Sequence, residues 1–282
     1  VQFGYGAKQR RIVAAETDRT GAIAEAIAQD KELTRTLLKS CGVPVPEGRP
    51  VENADDAWEA AEYIGLPVVV KPQFGSQGNG VSTNLRTREE VMEAFDNANV
   101  LGYSVVTETF KEGEDYRILV IGDKLVAAAH REPAQVKGDG SSSIRQLVDK
   151  INQDPRRAES HAGVLSPIPL DSISLAVLAS QGMQPESIPA PGQKVLIRRN
   201  ANLSTGGTAK DVTDLVHPEV AKLAISACRQ VGLDIAGVDI LRSSRGPLVL
   251  EVNASPGLEG IEGSTGVDVA GLIIEYIEDK LK

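Results

Sequence analysis

Three residues towards the C-terminal end have the types and spacing to hold a divalent cation: Asp239, Glu251 and Asn253. Both carboxylates interrupt apolar runs. Ala236-Gly237-Val238 leads into Asp239 and Leu248-Val249-Leu250 leads into Glu251, so each reads as a polar insertion in a buried strand. Period-two alternation puts Glu251 and Asn253 on one face of their strand, and a hairpin with the preceding strand brings Asp239 beside them. Two carboxylates and an amide oxygen are hard donors of the kind Mg²⁺ accepts while keeping water or phosphate oxygens in its other positions. A solvated sheet face is the alternative, but burying unpaired carboxylates among apolar neighbours is expensive and favours a cation.

A second constellation is Lys71 followed by Phe74-Gly75-Ser76-Gln77-Gly78-Asn79-Gly80. A glycine-rich turn between two extended segments lets the N–H groups of Gly75, Ser76, Gln77, Gly78 and Gly80 approach phosphate oxygens closely. Lys71, at the end of the preceding strand, adds a point charge for the same phosphates. The pattern is not GxxxxGK[ST], and no helix follows it, so it is neither a P-loop nor a dinucleotide fingerprint. By itself it equally suits a structural tight loop. The third is Val106-Thr107-Glu108-Thr109-Phe110 with Asp115 beyond it. Such a strand and connector can offer backbone groups to an adenine edge and a carboxylate to ribose hydroxyls, or can be an ordinary strand end. The fourth is Arg198, Asn202 and Ser204-Thr205-Gly206-Gly207, a cation, an amide and a small-residue turn. That set suits an anionic transition state, or a plain polar turn. His130, His161 and His217 are scattered, and with no Gly-x-Ser-x-Gly elbow covalent nucleophilic catalysis has little support.

These groups sit in a chain of 282 residues, 41% hydrophobic and 24% charged, the balance of a globular protein. A net charge of −9 and a pI near 5.0 argue against nucleic-acid partners, which call for a basic face, and against anionic lipid. No apolar run reaches the ~18–20 residues that span a bilayer, and no signal-peptide pattern opens the chain. The expected compartment is therefore the cytoplasm. Cys41 and Cys228 fall in helical patterns without partners at metal-ligand spacing and read as buried thiols of a reducing compartment. The first residue is Val1, consistent with a segment of a longer chain.

The elements that must position these residues are legible in outline. Ile23 and Ile27, then Leu33, Leu37 and Leu38, mark two successive helices, with Gly42 as a stop. Asn53 opens a third helix and Gly65 closes it. Residues 67–71 read as a short buried strand, and Thr87 with Glu90 forms a capping-box signature. Strands are expected at 103–107, 115–121 and 124–130, the last two joined by a Gly122-Asp123 turn. From 138 to 192 the chain is rich in Ser, Pro and Gly, with helical patterns at 144–151 and 172–181, and reads as an inserted or peripheral sublobe. A strand at 194–198, a helix over Pro218–Val231, strands at 235–241 and 247–252, and a final helix through Val269, Leu272, Ile273 and Ile277 complete the chain. Helices and hairpins together make α+β the expected class.

Taken in order, these features resemble the ATP-grasp superfamily of carboxylate–amine ligases. The likeness rests on Asp30-Lys31 at a helix start, Val70-Lys71-Pro72 with its glycine loop, the Glu108 connector, and Gly237-Val238-Asp239 with Leu250-Glu251-Val252-Asn253-Ala254-Ser255-Pro256-Gly257. Gln2-Phe3-Gly4-Tyr5-Gly6-Ala7-Lys8-Gln9-Arg10-Arg11, Lys137-Gly138-Asp139-Gly140 and Ala201-Asn202-Leu203-Ser204-Thr205-Gly206-Gly207-Thr208-Ala209 are similar to the ATP-grasp region of cyanophycin synthetases. The stretch from Arg245 through Gly257-Leu258-Glu259-Gly260-Ile261-Glu262 resembles the ribosomal-protein glutamate ligases instead. Full cyanophycin synthetases carry further N-terminal and Mur-ligase-like domains, and Asn79 stands where relatives often have a basic residue.

The resemblance implies an ATP-grasp fold with ATP held between two α+β lobes and an additional peripheral sublobe. Residues 1–65 would lead into the grasp, 66–110 would form the small lobe with the glycine-rich loop, and 111–282 the large lobe with its sublobe at about 138–192. It implies ATP and Mg²⁺, with Mn²⁺ as an alternative. Lys31, Lys71 and the loop Gly75, Ser76, Gln77, Gly78 and Gly80 would meet the phosphates, Glu108, Thr109 and Phe110 the adenine, and Asp115 the ribose. Asp239, Glu251 and Asn253 would hold the metal. Arg198, Asn202, Gly206 and Gly207 would stabilise an acylphosphate. The substrates implied are an amino acid, aspartate or alternatively glutamate, and a peptide or polymer carboxylate acceptor. The assembly implied is a homo-oligomer. A non-catalytic nucleotide-binding module of a larger synthetase is the third reading.

Overall fold

Side chains that accept the first free backbone N–H groups set most helix starts. Residues 1–74, 80–102, 104–158 and 165–280 are described in the computed structural model. The chain opens with the short strands β1 (Gln2–Phe3), β2 (Arg10–Val13) and β3 (Glu16–Thr17). Helices α1 (Ala22–Gln29) and α2 (Lys31–Ser40) follow, divided by Asp30, which caps the second. Then come β4 (Gly48–Val51), α3 (Ala54–Ile64), β5 (Val68–Pro72), β6 (Ser82–Leu85), α4 (Arg88–Ala98) and β7 (Val105–Thr109). Asn53 caps α3, and Thr87 with Glu90 forms the expected capping box on α4. The hairpin β8 (Gly113–Ile121) and β9 (Lys124–Glu132) precedes β10 (Gln135–Lys137), α5 (Ile144–Asn152), α6 (Ser172–Ala179), β11 (Lys194–Leu196) and β12 (Thr208–Asp211). The chain ends in α7 (Pro218–Val231), β13 (Ile235–Ser243), β14 (Gly246–Asn253), α8 (Leu258–Thr265) and α9 (Val269–Asp279).

These elements gather into two compact units, Val1–His130 with Asp211–Lys282, and Arg131–Lys210. In the first unit, one sheet has the order β4-β7-β5-β6. Its apolar side packs Val68, Val70 and Val105 against Ala57, Ala60 and Ala61 of α3 and Val91 and Phe95 of α4. A second antiparallel sheet carries β9-β8-β13-β14. Alternation sends Ile118, Val120, Ala236, Val238 and Ile240 to one face, where they meet Val220, Ala224, Ala227, Cys228 and Val231 of α7. Ile118 and Ile240 are fully buried, and each such side chain contributes roughly 1.5–3 kcal/mol.

A bulge in the β13–β14 pairing decides what the opposite face presents. Asp239 pairs with Glu251 but Ile240 pairs with Val249, so Leu250 is the extra residue. Val249 and Val252, three residues apart, thereby both join the core under α7, and Glu251 stays on the side of Asp239.

The second unit has its own core. β10 and β11 pair antiparallel, and Val136, Val195 and Ile197 pack with Ile144, Leu147 and Val148 of α5, Leu178 of α6 and Ile168. This unit extends beyond 138–192 on both sides, because the flanking strands pair with each other and supply part of that core. The strand expected at 103–107 lies at Val105–Thr109. The buried state expected for Cys41 is corrected: it caps the C-terminus of α2 and is exposed, whereas Cys228 is buried in α7.

Candidate functional site

On the face of the second sheet turned away from α7, three charged residues form one row. Arg117 of β8 pairs with Asp239 of β13, and Asp239 pairs with Glu251 of β14. Arg117 Nε and Nη2 both donate to the Asp239 carboxylate, Nη2 reaching Oδ2 at 3.1 Å. Two residues along, Asn253 stands opposite Gly237, and its Nδ2 donates to the Gly237 carbonyl oxygen at 3.2 Å. That bond uses the donor end of the amide, and the oxygen end is the one suited to a cation. Gly237 has to be glycine. A Cβ there would lie 2.8 Å from Pro256 Cβ and 3.4 Å from Arg117 Cδ, so the Arg117 stem occupies that space.

Two lysines approach this row from the other elements of the same unit. Lys31, the first residue of α2, brings Nζ to 3.9 Å from Glu251 Oε1. Lys71 near the end of β5 donates from Nζ to Glu108 Oε1 of β7 at 2.6 Å, with Glu108 buried and the lysine nearly so. Burial pulls the Lys31 ammonium below the usual lysine range, and the Lys71 charge lowers it further, against the attraction of Glu251 and Glu108. Glu251 is pushed above the ordinary carboxylate range, first by burial and then by Asp239. Lys31, Lys71 and Arg117 oppose this shift. Three cations and three carboxylates therefore balance in one partly buried cluster.

The donor set fits a hard divalent ion. Asp239 and Glu251 are cross-strand neighbours with Asn253 two residues away, and a second charge of the same sign raises the energy of Glu251 until a cation joins it. Among the described residues no group of three or more His, Cys, Asp or Glu side chains could hold a metal, so an ion at this row would rest on its two carboxylates and one amide.

The other expected site residues are distributed as follows. Asp115 lies two residues before Arg117 on the same face of β8, opposite Leu241. Thr109 donates through both its N–H and its hydroxyl to Glu47 O, at 2.7 and 3.0 Å, and the Phe110 N–H donates to Pro67 O at 3.0 Å. Those N–H groups are engaged and are not what an adenine edge would meet. Gly80 sits against Pro72. Gly75, Ser76, Gln77 and Gly78 lie outside the described residues. Arg198, Asn202, Gly206 and Gly207 belong to the second unit. Arg198 is 5% exposed, and its Nη2 meets Asp171 Oδ2 at 2.5 Å. Its Nε and Nη1 are buried without a hydrogen-bond partner among the described residues, an expensive state that an anion would relieve. Gly206 and Gly207 are dictated by packing, since a Cβ would meet Ile168 at 2.8 Å in the first case and Asn202 O at 2.8 Å in the second.

Sequence reasoning missed Arg117 and Asp171. The alternation Asp115-x-Arg117 on a strand beside Asp239 was the available signal for the first. Asp171 is the N-cap of α6, and a capping aspartate carries no mark of a second partner.

Residues 28–146 and 197–277 match the family model of the RimK-like ATP-grasp domain. The chain is 41% identical over 289 residues to a cyanophycin synthetase from Trichormus variabilis, covering 98% of this chain and 32% of that one. It thus spans about a third of the length of the curated relatives it matches. Among solved structures, a bifunctional glutathione synthetase from Pasteurella multocida superposes with a TM-score of 0.65 at 26% identity, over 99% of this chain and 40% of that one. The ATP-grasp ligase PsnB, solved with minimal precursor, Mg and ADP, shares the fold with a TM-score of 0.57 at 19% identity, over 94% of this chain and 62% of that one. Among the described residues no helix is long and apolar enough to cross a membrane.

Proposed function

The chain belongs to the RimK-like ATP-grasp family, and from that membership we propose that it joins a carboxylate to an amine through an acylphosphate, releasing ADP and phosphate. The observation that carries this reading is the row Arg117, Asp239 and Glu251 with Lys31 beside it. Every cation in the cluster has a carboxylate near it, and a metal–polyphosphate pair can exchange both halves at once. Phosphate oxygens would draw on the lysines and a bound metal on Asp239 and Glu251, so positive and negative groups would stay side by side when the nucleotide enters.

In this reading Lys31 and Lys71 bind the phosphates, with the segment from Gly75, Ser76, Gln77 and Gly78 to Gly80 supplying backbone N–H groups. Glu108, Thr109 and Phe110 border the adenine, and Asp115 accepts from the ribose. Asp239, Glu251 and Asn253 would hold Mg²⁺, with Mn²⁺ an alternative, and the ion would supply charge neutralisation to the transferring phosphate. The substrate carboxylate oxygen attacks the γ-phosphorus and ADP leaves. The amine nitrogen then attacks the acyl carbon, the carbon–oxygen bond to phosphate breaks, and the nitrogen loses a proton to give the amide. Arg198, with Asn202 and the Gly206–Gly207 backbone, supplies donors for the acylphosphate and tetrahedral oxyanion.

The substrates we assign are aspartate as the amine and the carboxyl end of an aspartate polymer as the acceptor, the aspartate-adding half of cyanophycin synthesis. Identity of 41% over 98% of the chain supports that choice over glutamate addition to a protein terminus. On this reading the protein works in the cytoplasm as a homo-oligomer. The test is ADP release from ATP and Mg²⁺ with single amino acids, each with and without a β-Asp-Arg primer. Turnover with aspartate and primer alone establishes the assignment. Turnover with glutamate regardless of primer replaces it with the glutamate-ligase reading, and binding of ATP without turnover replaces both with a nucleotide-binding module.

A further inference from the structure

The first turn of α2 presents backbone N–H groups that have no partner within the helix. All are used. Glu32 N–H and Leu33 N–H donate to Asp30 Oδ1 at 3.0 Å each, and Lys31 N–H donates to the carbonyl oxygen of Gln73 at 3.4 Å. With these groups engaged, what the helix start can offer a phosphate is the Lys31 ammonium.

Gln73 also answers with its side chain. Its Nε2 donates to the same Asp30 Oδ1 at 2.8 Å. Residues 30–31 and residue 73 are thus joined by two hydrogen bonds running in opposite directions. Gln73 is itself anchored, its N–H donating to Ser104 O at 2.7 Å. It lies two residues beyond Lys71, so this clamp ties the helix that carries one lysine to the strand that carries the other.

We propose that Gln73 is a positioning residue for Lys31, setting the start of α2 against the end of β5 and so holding the ammonium at Glu251 and beside Lys71. The proposal rests on reading this cluster as the Mg·ATP site. A lysine ammonium is a compact charge on a flexible four-carbon stem, and its location follows the Cα that carries it. Here the stem is confined, with the side chain 14% exposed, so it has little room to correct a displaced helix start. The N-cap fixes the direction of the helix, while the Gln73 amide fixes its separation from β5.

The test is the affinity for Mg·ATP, measured by calorimetry on the whole chain. Gln73→Met keeps length and bulk and removes the amide donor. It is expected to weaken binding about tenfold, the worth of a hydrogen bond to a charged acceptor. In a Lys31→Met background the same change is expected to alter affinity by less than about twofold, since residues acting through one contact are not additive. Unchanged affinity in Gln73→Met, or the same loss in both backgrounds, overturns the proposal. A second pair covers the case in which Gln73→Met destabilises the fold. Gln73→Glu sets two carboxylates together and weakens binding. Adding Asp30→Asn keeps the cap and supplies an amide donor to the new carboxylate. Recovery of affinity supports the proposal, and no recovery overturns it. Failure of the ligase reading shows separately, as absence of ADP release with every amino acid while Mg·ATP binding still depends on Gln73.

Discussion

Arg117 clasps Asp239 with two guanidinium nitrogens across the β8–β13 pairing, whereas Glu251, next in the same row, meets Lys31 at 3.9 Å. The two carboxylates therefore differ: one is buried and held by a fork of hydrogen bonds, and the other is half-buried with a looser countercharge. Removing one partner of the clasp strands a charge among buried groups, since the Asp239 side chain is 8% exposed and that of Arg117 23%. Asp239→Ala is expected to destabilise the fold by up to about 3 kcal/mol, and the double change Arg117→Met with Asp239→Leu by clearly less. Urea unfolding decides between them. Both variants are expected to lose ADP release by at least about a hundredfold, the scale of removing one group that stabilises developing charge. A double variant as unstable as the single one would show that the pair does not act as a unit.

Lys71 and Glu108 make the matching pair on the first sheet, at 2.6 Å. If phosphate takes Lys71 from Glu108, Lys71→Met is expected to raise the KM for ATP by about tenfold or more while the KM for the amino acid stays within about twofold, because the loss is one of nucleotide binding. Steady-state kinetics with each substrate varied in turn check this. An effect confined to the amino-acid KM would move Lys71 out of the nucleotide site.

The common face of Glu251 and Asn253 could be read from two-residue alternation alone, and so could the caps at Asn53 and Thr87, because these depend on neighbours within four positions. The bulge at Leu250 could not. It arises because Val249 and Val252 both reach α7, a demand of packing between distant elements. Arg117 was hidden for a related reason: its partner is 122 residues away, and only the placement of β8 beside β13 turns a charged strand residue into half of an ion pair. Arg198 was singled out as a lone cation near a small-residue turn, yet its partner Asp171 looks locally like nothing more than a helix cap. Cys41 was also put inside because it adjoins the apolar positions of α2, yet it falls at the C-cap just before the Gly42 stop, where the chain leaves the packed face.

Asp139 leads into α5 and gathers the N–H groups of Ser141 and Ser142 and the Ser142 hydroxyl. Those bonds to Ser142 and Ser141 hold its carboxyl well below the usual carboxylate range. A lowered value means that the folded state favours the charged form. The stabilisation is complete above about pH 4, the ordinary carboxylate value, and is lost as pH falls through the lowered one. Asp139→Asn is therefore expected to lower the Tm at pH 7, and the gap to the parent protein is expected to narrow steadily as pH falls below about 4. Melting curves at several pH values read this directly, and a gap that widens towards acid would reverse the sign.

The two cysteines are expected to report on the core of the first unit. Cys41 is exposed at the end of α2, while Cys228 lies fully buried in α7 among Ile118, Val238 and Ile240. Burial pushes the Cys228 thiol up to about 12, so at pH 8 it is protonated as well as inaccessible, and thiolate is the reactive form. In the folded protein an aromatic disulfide reagent is expected to titrate one thiol per chain rapidly. The second should react only as fast as the α7 layer opens, because reagent and hydroxide are both excluded until then. Raising the pH from 8 to 9 should speed the second reaction only insofar as opening itself is faster. Replacing Ile240 with Ala removes contacts over the same layer and is expected to destabilise the protein by about 2–5 kcal/mol, bringing the slow thiol into reach. Two thiols that react at once in the folded protein would mean that α7 is not packed on this sheet in solution.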